Sequence, residues 1–222
     1  MDYDCGTWKT KKMKYLAVKR ALDISFSMFG LLIFSPLIFL ISVLIKLESS
    51  GPVLYRGERT GKNGFIFKIF KFRSMVPDAE KMGGFSTALN DNRLTRIGRF
   101  LRKYKFDELP QLLNVFVGDM SIVGPRPQVP FYTDLYNNEE LIILSVRPGI
   151  TDLASLYFFD MDSILGSKNA DERYFAEIEP LKNKLRLRYV RDINFILDFR
   201  ILIETFFKFI GIDHATGLKI KP

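Results

Sequence analysis

Two adjacent carboxylates, Asp107 and Glu108, stand in the stretch Lys105-Phe106-Asp107-Glu108-Leu109-Pro110-Gln111-Leu112, and their neighbours set what they can do. Proline has no backbone donor and is tolerated only in a first helical turn, so Pro110 predicts a helix beginning here with the acid pair at its start. Capping that helix is the ordinary role of such a pair. Arg99, Arg102, Lys103 and Lys105 crowd the same stretch, however, and nearby cations keep a carboxylate ionised. An ionised carboxylate can act as a nucleophile or hold Mg²⁺. Asp107 and Glu108 are therefore the candidate catalytic residues, with Asp107 the candidate metal ligand.

Cations suited to phosphate follow in the chain. In Gly118-Asp119-Met120-Ser121-Ile122-Val123-Gly124-Pro125-Arg126-Pro127, two prolines bracket Arg126, fixing its backbone and leaving its side chain free. A guanidinium presented in this way matches a phosphate with two parallel hydrogen bonds. Arg147-Pro148-Gly149 repeats the arrangement more weakly, and Lys68, Lys71 and Arg73 alternate with Phe67, Phe70 and Phe72. That alternation reads either as a solvated strand face or as a second phosphate contact.

Composition narrows the chemistry further. The chain carries 33 Lys and Arg against 25 Asp and Glu in 222 residues, a net charge of +8, which favours anionic partners. Cys5 is the only cysteine, so no internal disulfide and no cysteine-built metal centre can form, and a reducing, cytosol-facing location fits. His214, near the C-terminus, is the only histidine. A Ser-His-Asp or Cys-His triad would have to be assembled on that tail residue. Acid-base and nucleophilic work falls instead to carboxylates, lysines, tyrosines or a metal-bound species.

The elements that must position these groups begin with an uncharged stretch from Ile24 to Ile45. Its about 22 residues make roughly 33 Å of helix, enough to cross a hydrocarbon core. A plain spanning helix fits that length. Ser35-Pro36 at its middle predicts a kink, and basic residues flank both sides: Lys9, Lys11, Lys12, Lys14, Lys19 and Arg20 before, Lys46, Arg56, Arg59 and Lys62 after. Since both flanks prefer the cytoplasm, a re-entrant helix-break-helix that enters and leaves by one face satisfies them best. The expected organisation is a basic tail over 1–18, a re-entrant membrane hairpin over 19–50 and a catalytic domain over 51–222.

Within that domain, Val53-Leu54-Tyr55 and Phe65 to Phe72 predict a β-hairpin around Gly61-Lys62-Asn63-Gly64, and Val76 to Asn92 reads as a loop or short surface helix. Leu94, Ile97, Leu101 and Tyr104 recur at helical spacing on a strongly basic helix. From Phe195 to Ile210, Asp198, Arg200, Glu204, Thr205 and Lys208 gather on one side. Phe195, Phe199, Leu202, Ile203, Phe206 and Phe209 gather on the other. Such a helix suits a membrane interface or the packed face of a core. The fold class expected is α+β, mostly helical, with a small cytosolic domain carrying a β-hairpin and interfacial amphipathic helices.

The ordered set Lys19-Arg20-x-x-Asp23, Ser35-Pro36, Gly51-Pro52-Val53, Arg59-x-Gly61, Lys71-Phe72-Arg73-Ser74-Met75, Asp91-x-Arg93-x-Thr95, Asp107-Glu108-Leu109-Pro110-Gln111, Met120 to Pro127 and Arg147-Pro148-Gly149-Ile150-Thr151 covers nearly the whole chain. With it the sequence resembles the bacterial sugar transferases, specifically the small monotopic phosphoglycosyl transferases. The resemblance implies that Asp107 attacks the β-phosphorus of a UDP-sugar, releasing UMP, and that polyprenol (undecaprenyl) phosphate then takes the sugar-phosphate from the enzyme. It also implies Mg²⁺, Glu108 assisting with metal or proton handling, and substrate contacts from Arg126, Arg147, Lys71, Arg73 and Arg59. The implied location is the cytoplasmic membrane of a bacterium, with the catalytic domain facing the cytoplasm and membrane lipid as a partner. Nucleic acid is not expected as a partner, and homodimerisation is left open.

The sequence departs from the family pattern at Gly57, at Tyr104-Lys105-Phe106, and at Asp152 and Ser155 within Thr151-Asp152-Leu153-Ala154-Ser155. The last departure lies where the sugar nucleotide is expected, so it bears on which sugar is carried. Two other readings fit parts of the same evidence. One is an Mg²⁺-dependent UDP-sugar diphosphate hydrolase using the same carboxylates. The other is a membrane-tethered binder of nucleic acid or anionic lipid, drawn from the net charge and the aromatic-basic run Phe65 to Arg73.

Overall fold

The computed structural model describes residues 5–77, 79, 91–159, 177–212, 216–218 and 220, with side chains from residue 14 onward. The stretch expected as a loop or surface helix over 76–92 lies largely outside them, as does His214. A single long helix, α1 (Cys5–Glu48), opens the chain, and its Lys14–Glu48 part is long and apolar enough to cross a membrane. The chain is mostly helical, with three small two-stranded sheets among the described residues.

The expected break at Ser35-Pro36 is not an interruption of α1, which continues through Pro36. Proline cannot donate to the carbonyl four residues back. The Ser35 hydroxyl donates to that same Leu32 oxygen at 2.8 Å, so the acceptor the proline would strand is satisfied locally. Nor does the helix begin at residue 19: its first turns reach back to Cys5, placing the expected 18/19 boundary inside one element.

The predicted hairpin is present, as two nested pairs. Strands β2 (Glu58–Thr60) and β3 (Ile66–Lys68) pair antiparallel, while β1 (Leu54–Tyr55) and β4 (Lys71–Phe72) pair outside them. The turn runs through Lys62–Gly64, where Asn63 (φ 57°) and Gly64 (φ 79°) take the left-handed conformation that asparagine and glycine tolerate best. Helix α2 (Arg96–Lys103) is capped by Thr95, whose hydroxyl accepts from the Gly98 amide, and Glu48 at the end of α1 accepts from the Arg96 and Ile97 amides. Leu94 and Leu101 are buried as expected. Tyr104 is exposed beyond the end of α2, in a cluster of rings with Phe100 and Phe106.

A short turn over Phe106–Glu108 leads into α3 (Gln111–Val117), so the acid pair does sit at the start of a helix, with Pro110 at its N-cap. Next come β5 (Ser121–Val123), α4 (Pro130–Thr133), β6 (Gly149–Thr151) and α5 (Leu153–Tyr157). β5 and β6 pair in parallel. Their backbones come so close that a Cβ on Gly149 would stand 2.1 Å from the Gly124 nitrogen, so only glycine fits. Helices α6 (Glu179–Asp192) and α7 (Phe195–Phe209) complete the domain, sharing with α5 and β5 a core that includes Val123, Leu153, Leu156, Leu185, Tyr189 and Ile201.

α1 is fastened to this domain along its length. Lys19 bonds Asp198 of α7 at 2.5 Å, and Asp23 accepts from the Ser121 hydroxyl at 2.7 Å. The Arg20 guanidinium donates to the Val115 and Phe116 carbonyls at the end of α3. Farther along, Ile41 and Ile45 pack with Phe72 and Leu101. α7 is amphipathic as predicted, with the packing reversed from a core-facing helix. Asp198 and Glu204 are buried with Ile201, while Phe195, Ile196, Phe199, Phe206 and Phe209 are more than half exposed.

Candidate active site

The acid pair is presented by a tight connection. α2 ends at Lys103, Lys105 adopts a left-handed conformation (φ 57°), and the turn over Phe106–Glu108 follows at once. From there the backbone stays helical through Leu109 and Pro110 into α3. Asp107 is 1% exposed, and the inward side of the same helix carries Gln111, Asn114 and Val115, all buried.

Asn114 ties this helix to the hairpin. Its Oδ1 accepts from the Phe70 amide at 2.7 Å and its Nδ2 donates to the Lys68 carbonyl at 3.0 Å. The chain between β3 and β4 is thereby held against α3, bringing Lys71 to the acid pair. Lys71 Nζ lies 2.7 Å from Asp107 Oδ2 and 3.5 Å from Glu108 Oε1. Asp107 Oδ1 is buried and has no hydrogen-bond partner in the protein.

Arg126 arrives from the parallel pair. Its guanidinium meets Glu108 with both terminal nitrogens, Nη1 donating to Oε2 at 3.2 Å and Nη2 to Oε1, and Nη1 also reaches the Ile150 carbonyl at 3.4 Å. The backbone of Arg126 is held by Asp152, whose Oδ2 accepts from its amide at 3.1 Å while Oδ1 accepts from the Ser155 amide and caps α5. Burial would raise the Glu108 pKa, but Arg126, then Lys71, outweigh it and hold the carboxyl well below its usual range. Glu108 in turn pushes the Arg126 guanidinium up. The site thus holds two carboxylates and two cations, with the Arg126 side chain still 40% exposed and able to reach an incoming anion.

The structure brings together Asp107, Glu108, Lys71 and Arg126 from the sequence-predicted set, and it gives the other three cations partners outside the acid pair. Arg73 is buried and donates through Nη2 to the Ser49 carbonyl and hydroxyl at 2.9 Å, and through Nη1 to the Ser50 carbonyl, holding the chain that leaves α1. Arg147 donates to the Gly118 carbonyl at 2.8 Å, at the far end of α3 from Asp107. Arg59, on β2, donates to its neighbour's carbonyl at Glu58. Each binds a backbone oxygen, a use that residue type and spacing do not distinguish from phosphate binding.

Asp152 and Lys182 were not among the predicted site residues. Asp152 drew notice only as a departure from the family pattern. Lys182 lies in α6, 8% exposed, with its ammonium 5.6 Å from the centre of the Phe158 ring. No group of three or more His, Cys, Asp or Glu able to hold a metal is found among the described residues. The donor set of two adjacent carboxylates, Asp107 and Glu108, does suit Mg²⁺, which is usually bound by one or two carboxylates together with substrate phosphates.

Residues 14–211 match the family model described as bacterial sugar transferase. The chain is 35% identical over 196 residues to the UDP-N-acetylgalactosamine-undecaprenyl-phosphate N-acetylgalactosaminephosphotransferase of Aeromonas hydrophila, covering 86% of this chain and 43% of that protein. It is 38% identical over 205 residues to the exopolysaccharide production protein PSS of Rhizobium leguminosarum bv. phaseoli, covering 86% and 94%. It is also 36% identical over 195 residues to the UDP-glucose:undecaprenyl-phosphate glucose-1-phosphate transferase of Escherichia coli (strain K12), covering 86% and 40%. The chain therefore spans less than half of the first and third relatives and nearly all of the second.

Proposed function

Because the chain belongs to the bacterial sugar transferase family, we propose that it moves a sugar-1-phosphate from a UDP-sugar to polyprenol phosphate, by way of an aspartyl phosphosugar on Asp107. The observation that carries this reading is the state of Asp107: buried, gripped by Lys71 at one oxygen, and free of partners at the other. In the first step a carboxylate oxygen of Asp107 forms a bond to the β-phosphorus while the bond from that phosphorus to the bridging oxygen breaks, and UMP departs with the electron pair. In the second step an oxygen of polyprenol phosphate attacks the same phosphorus, the acyl phosphate bond breaks, and the Asp107 carboxylate is regenerated. Two displacements through a carboxylate avoid a direct encounter of the two anionic substrates.

The protein's cations suit this chemistry. Lys71 orients Asp107, and Arg126 can share its guanidinium between Glu108 and a substrate phosphate, lowering the repulsion as charge gathers on the leaving oxygen. Glu108, held ionised by its partners, keeps Arg126 charged and aimed. Mg²⁺ would be held by Asp107 together with the diphosphate, and when bound supplies neutralisation of phosphate charge.

α1 and α7 support placement at a membrane. α1 is bonded to the same domain near Lys19 and again at Glu48, on either side of its apolar stretch, which supports both flanks lying on the cytoplasmic face, with the kink needed at Ser35-Pro36 forming in the bilayer. The outward phenylalanines of α7 suit the headgroup boundary, where they would bring the site to the level of a lipid phosphate.

Purified protein in detergent, given undecaprenyl phosphate and a panel of UDP-sugars, tests the reading. UMP release that requires the lipid, with a phosphosugar adduct trapped when the lipid is withheld, is the expected result, and Asp107→Asn should abolish both. Full turnover by that variant would remove Asp107 from its role, and continuous UMP release without lipid would make the enzyme a hydrolase.

A further inference from the structure

On the inward side of α3, Asn114 and Gln111 are both buried amides, and their circumstances differ. Asn114 is 0% exposed and its side chain is bonded to Phe70, Lys68 and Asp119. Gln111 is 1% exposed, and its Nε2 has no hydrogen-bond partner in the protein. A buried donor without a partner is costly, and natural proteins keep few of them. Gln111 stands four residues after Asp107 on a backbone that is helical throughout, and residues at that spacing share one side of a helix. The neighbouring carboxylate carries a matching orphan: Asp107 Oδ1 also lacks a partner. An unpaired donor and an unpaired acceptor therefore lie one helical turn apart, next to the cations Lys71 and Arg126.

We propose that Gln111 is a further substrate-contacting residue, whose side-chain amide donates a hydrogen bond to a non-bridging oxygen of the phosphoryl group that Asp107 receives. With Lys71 holding Oδ2, Oδ1 is the oxygen open to phosphorus. A phosphoryl group joined there brings its non-bridging oxygens within a helical turn of the Gln111 amide. No protein group satisfies this donor, so its hydrogen bond to the phosphoryl oxygen favours the transferring group over the resting enzyme. Gln111 breaks and makes no covalent bond.

This inference rests on the transferase reading, and the experiment separates the two. Using the UDP-sugar on which the wild type turns over, chosen from UDP-glucose, UDP-galactose and UDP-N-acetylgalactosamine, UMP release and thermal stability are measured for wild type, Gln111→Met and Gln111→Glu. Methionine keeps the length of the side chain without the donor, and glutamate keeps its shape while replacing the donor with an anion. Both variants should lose about 10²-fold in kcat, the scale expected for one preorganised donor to a developing oxyanion. KM for the UDP-sugar should move far less. Gln111→Met should melt at or above the wild-type temperature, because an apolar side chain leaves no buried donor stranded. Retention of at least half the wild-type kcat by Gln111→Met or Gln111→Glu overturns the inference. So does a loss of kcat in Gln111→Met that only tracks a fall in melting temperature. If wild type and Asp107→Asn behave alike, the Asp107 step on which this inference rests fails, and continuous UMP release by wild type without lipid would sink the transferase reading itself.

Discussion

At the scale of single residues, ionisable groups are held in states that their surroundings dictate. Lys182 is the plainest case outside the acid pair: burial, then Arg186, lowers its ammonium to about 8, against a smaller opposing pull from Glu179. An unfolded lysine titrates near about 10.4, so between these values the unfolded chain binds more protons than the folded one. The penalty of burying the charge is therefore full below the folded value and is relieved as pH rises through this window. Thermal melts of Lys182→Met and wild type at pH 7, 8, 9 and 10 should show the variant's relative stability greatest at pH 7. That advantage should shrink toward pH 10, starting from an upper bound of about 3 kcal/mol. Glu108 runs the other way. Its folded pKa is depressed, so its contribution is complete above the ordinary carboxylate range and is lost as pH falls below it. Sequence carried much of the site at this scale, since Asp107, Glu108, Lys71 and Arg126 are distinctive in type and context. It did not separate Arg126 from Arg73 and Arg147, because all three guanidiniums bind oxygen and only the fold decides whose oxygen it is.

At the scale of elements, one buried carboxylate anchors the amino-terminal part of the long helix. Asp198 receives hydrogen bonds from Lys19, from the Tyr15 hydroxyl at 2.5 Å and from the Tyr189 hydroxyl at 2.7 Å. Asp198→Ala strands the buried Lys19 ammonium and the Tyr15 hydroxyl, while the Tyr189 hydroxyl keeps the Val123 carbonyl at 3.1 Å, and should cost about 3–5 kcal/mol, read as a fall in melting temperature. The pair Arg191–Glu139, with both side chains 59% exposed, is the control: Glu139→Gln should change stability by less than about 1 kcal/mol. The hairpin was legible because a Gly-Lys-Asn-Gly turn between aromatic runs has few other solutions. The parallel pair β5–β6 was not. Three-residue strands are too short for any period to register, and their contact depends on Gly124 and Gly149 meeting across 25 positions of sequence. For α7 the two sides were visible on the wheel. Which side faces protein depends on the partners Tyr189, Lys19 and Thr216 waiting for Asp198 and Glu204.

At the scale of the whole molecule, the apolar surfaces of α1 and α7 are the features a soluble protein would not keep. Phe29, Leu32, Phe39 and Leu47 on α1 are each more than 60% exposed, as are Ile196 and Phe206 on α7. Phe206→Glu should weaken binding to phospholipid vesicles by about tenfold or more in a flotation assay, with little change in melting temperature, because the side chain is not packed in the core. Labels placed near Lys14 and near Ser50 should both react from the cytoplasmic side of inverted vesicles. Labelling from opposite sides would mean that α1 spans. The re-entrant arrangement was read from charge on both flanks, and the vesicle labelling is its test; what the sequence alone could not display is that α1 is bonded to one domain near Lys19 and again at Glu48.

The bond between Lys19 and Asp198 joins residues 179 positions apart. A ribosome adding about 5–20 residues per second needs on the order of ten to thirty-five seconds to make the second partner after the first. For that interval the lysine has no Asp198 to pair with. The exposed apolar side chains of α1 suit lipid as the helix's partner in that interval, with the folded domain a later one.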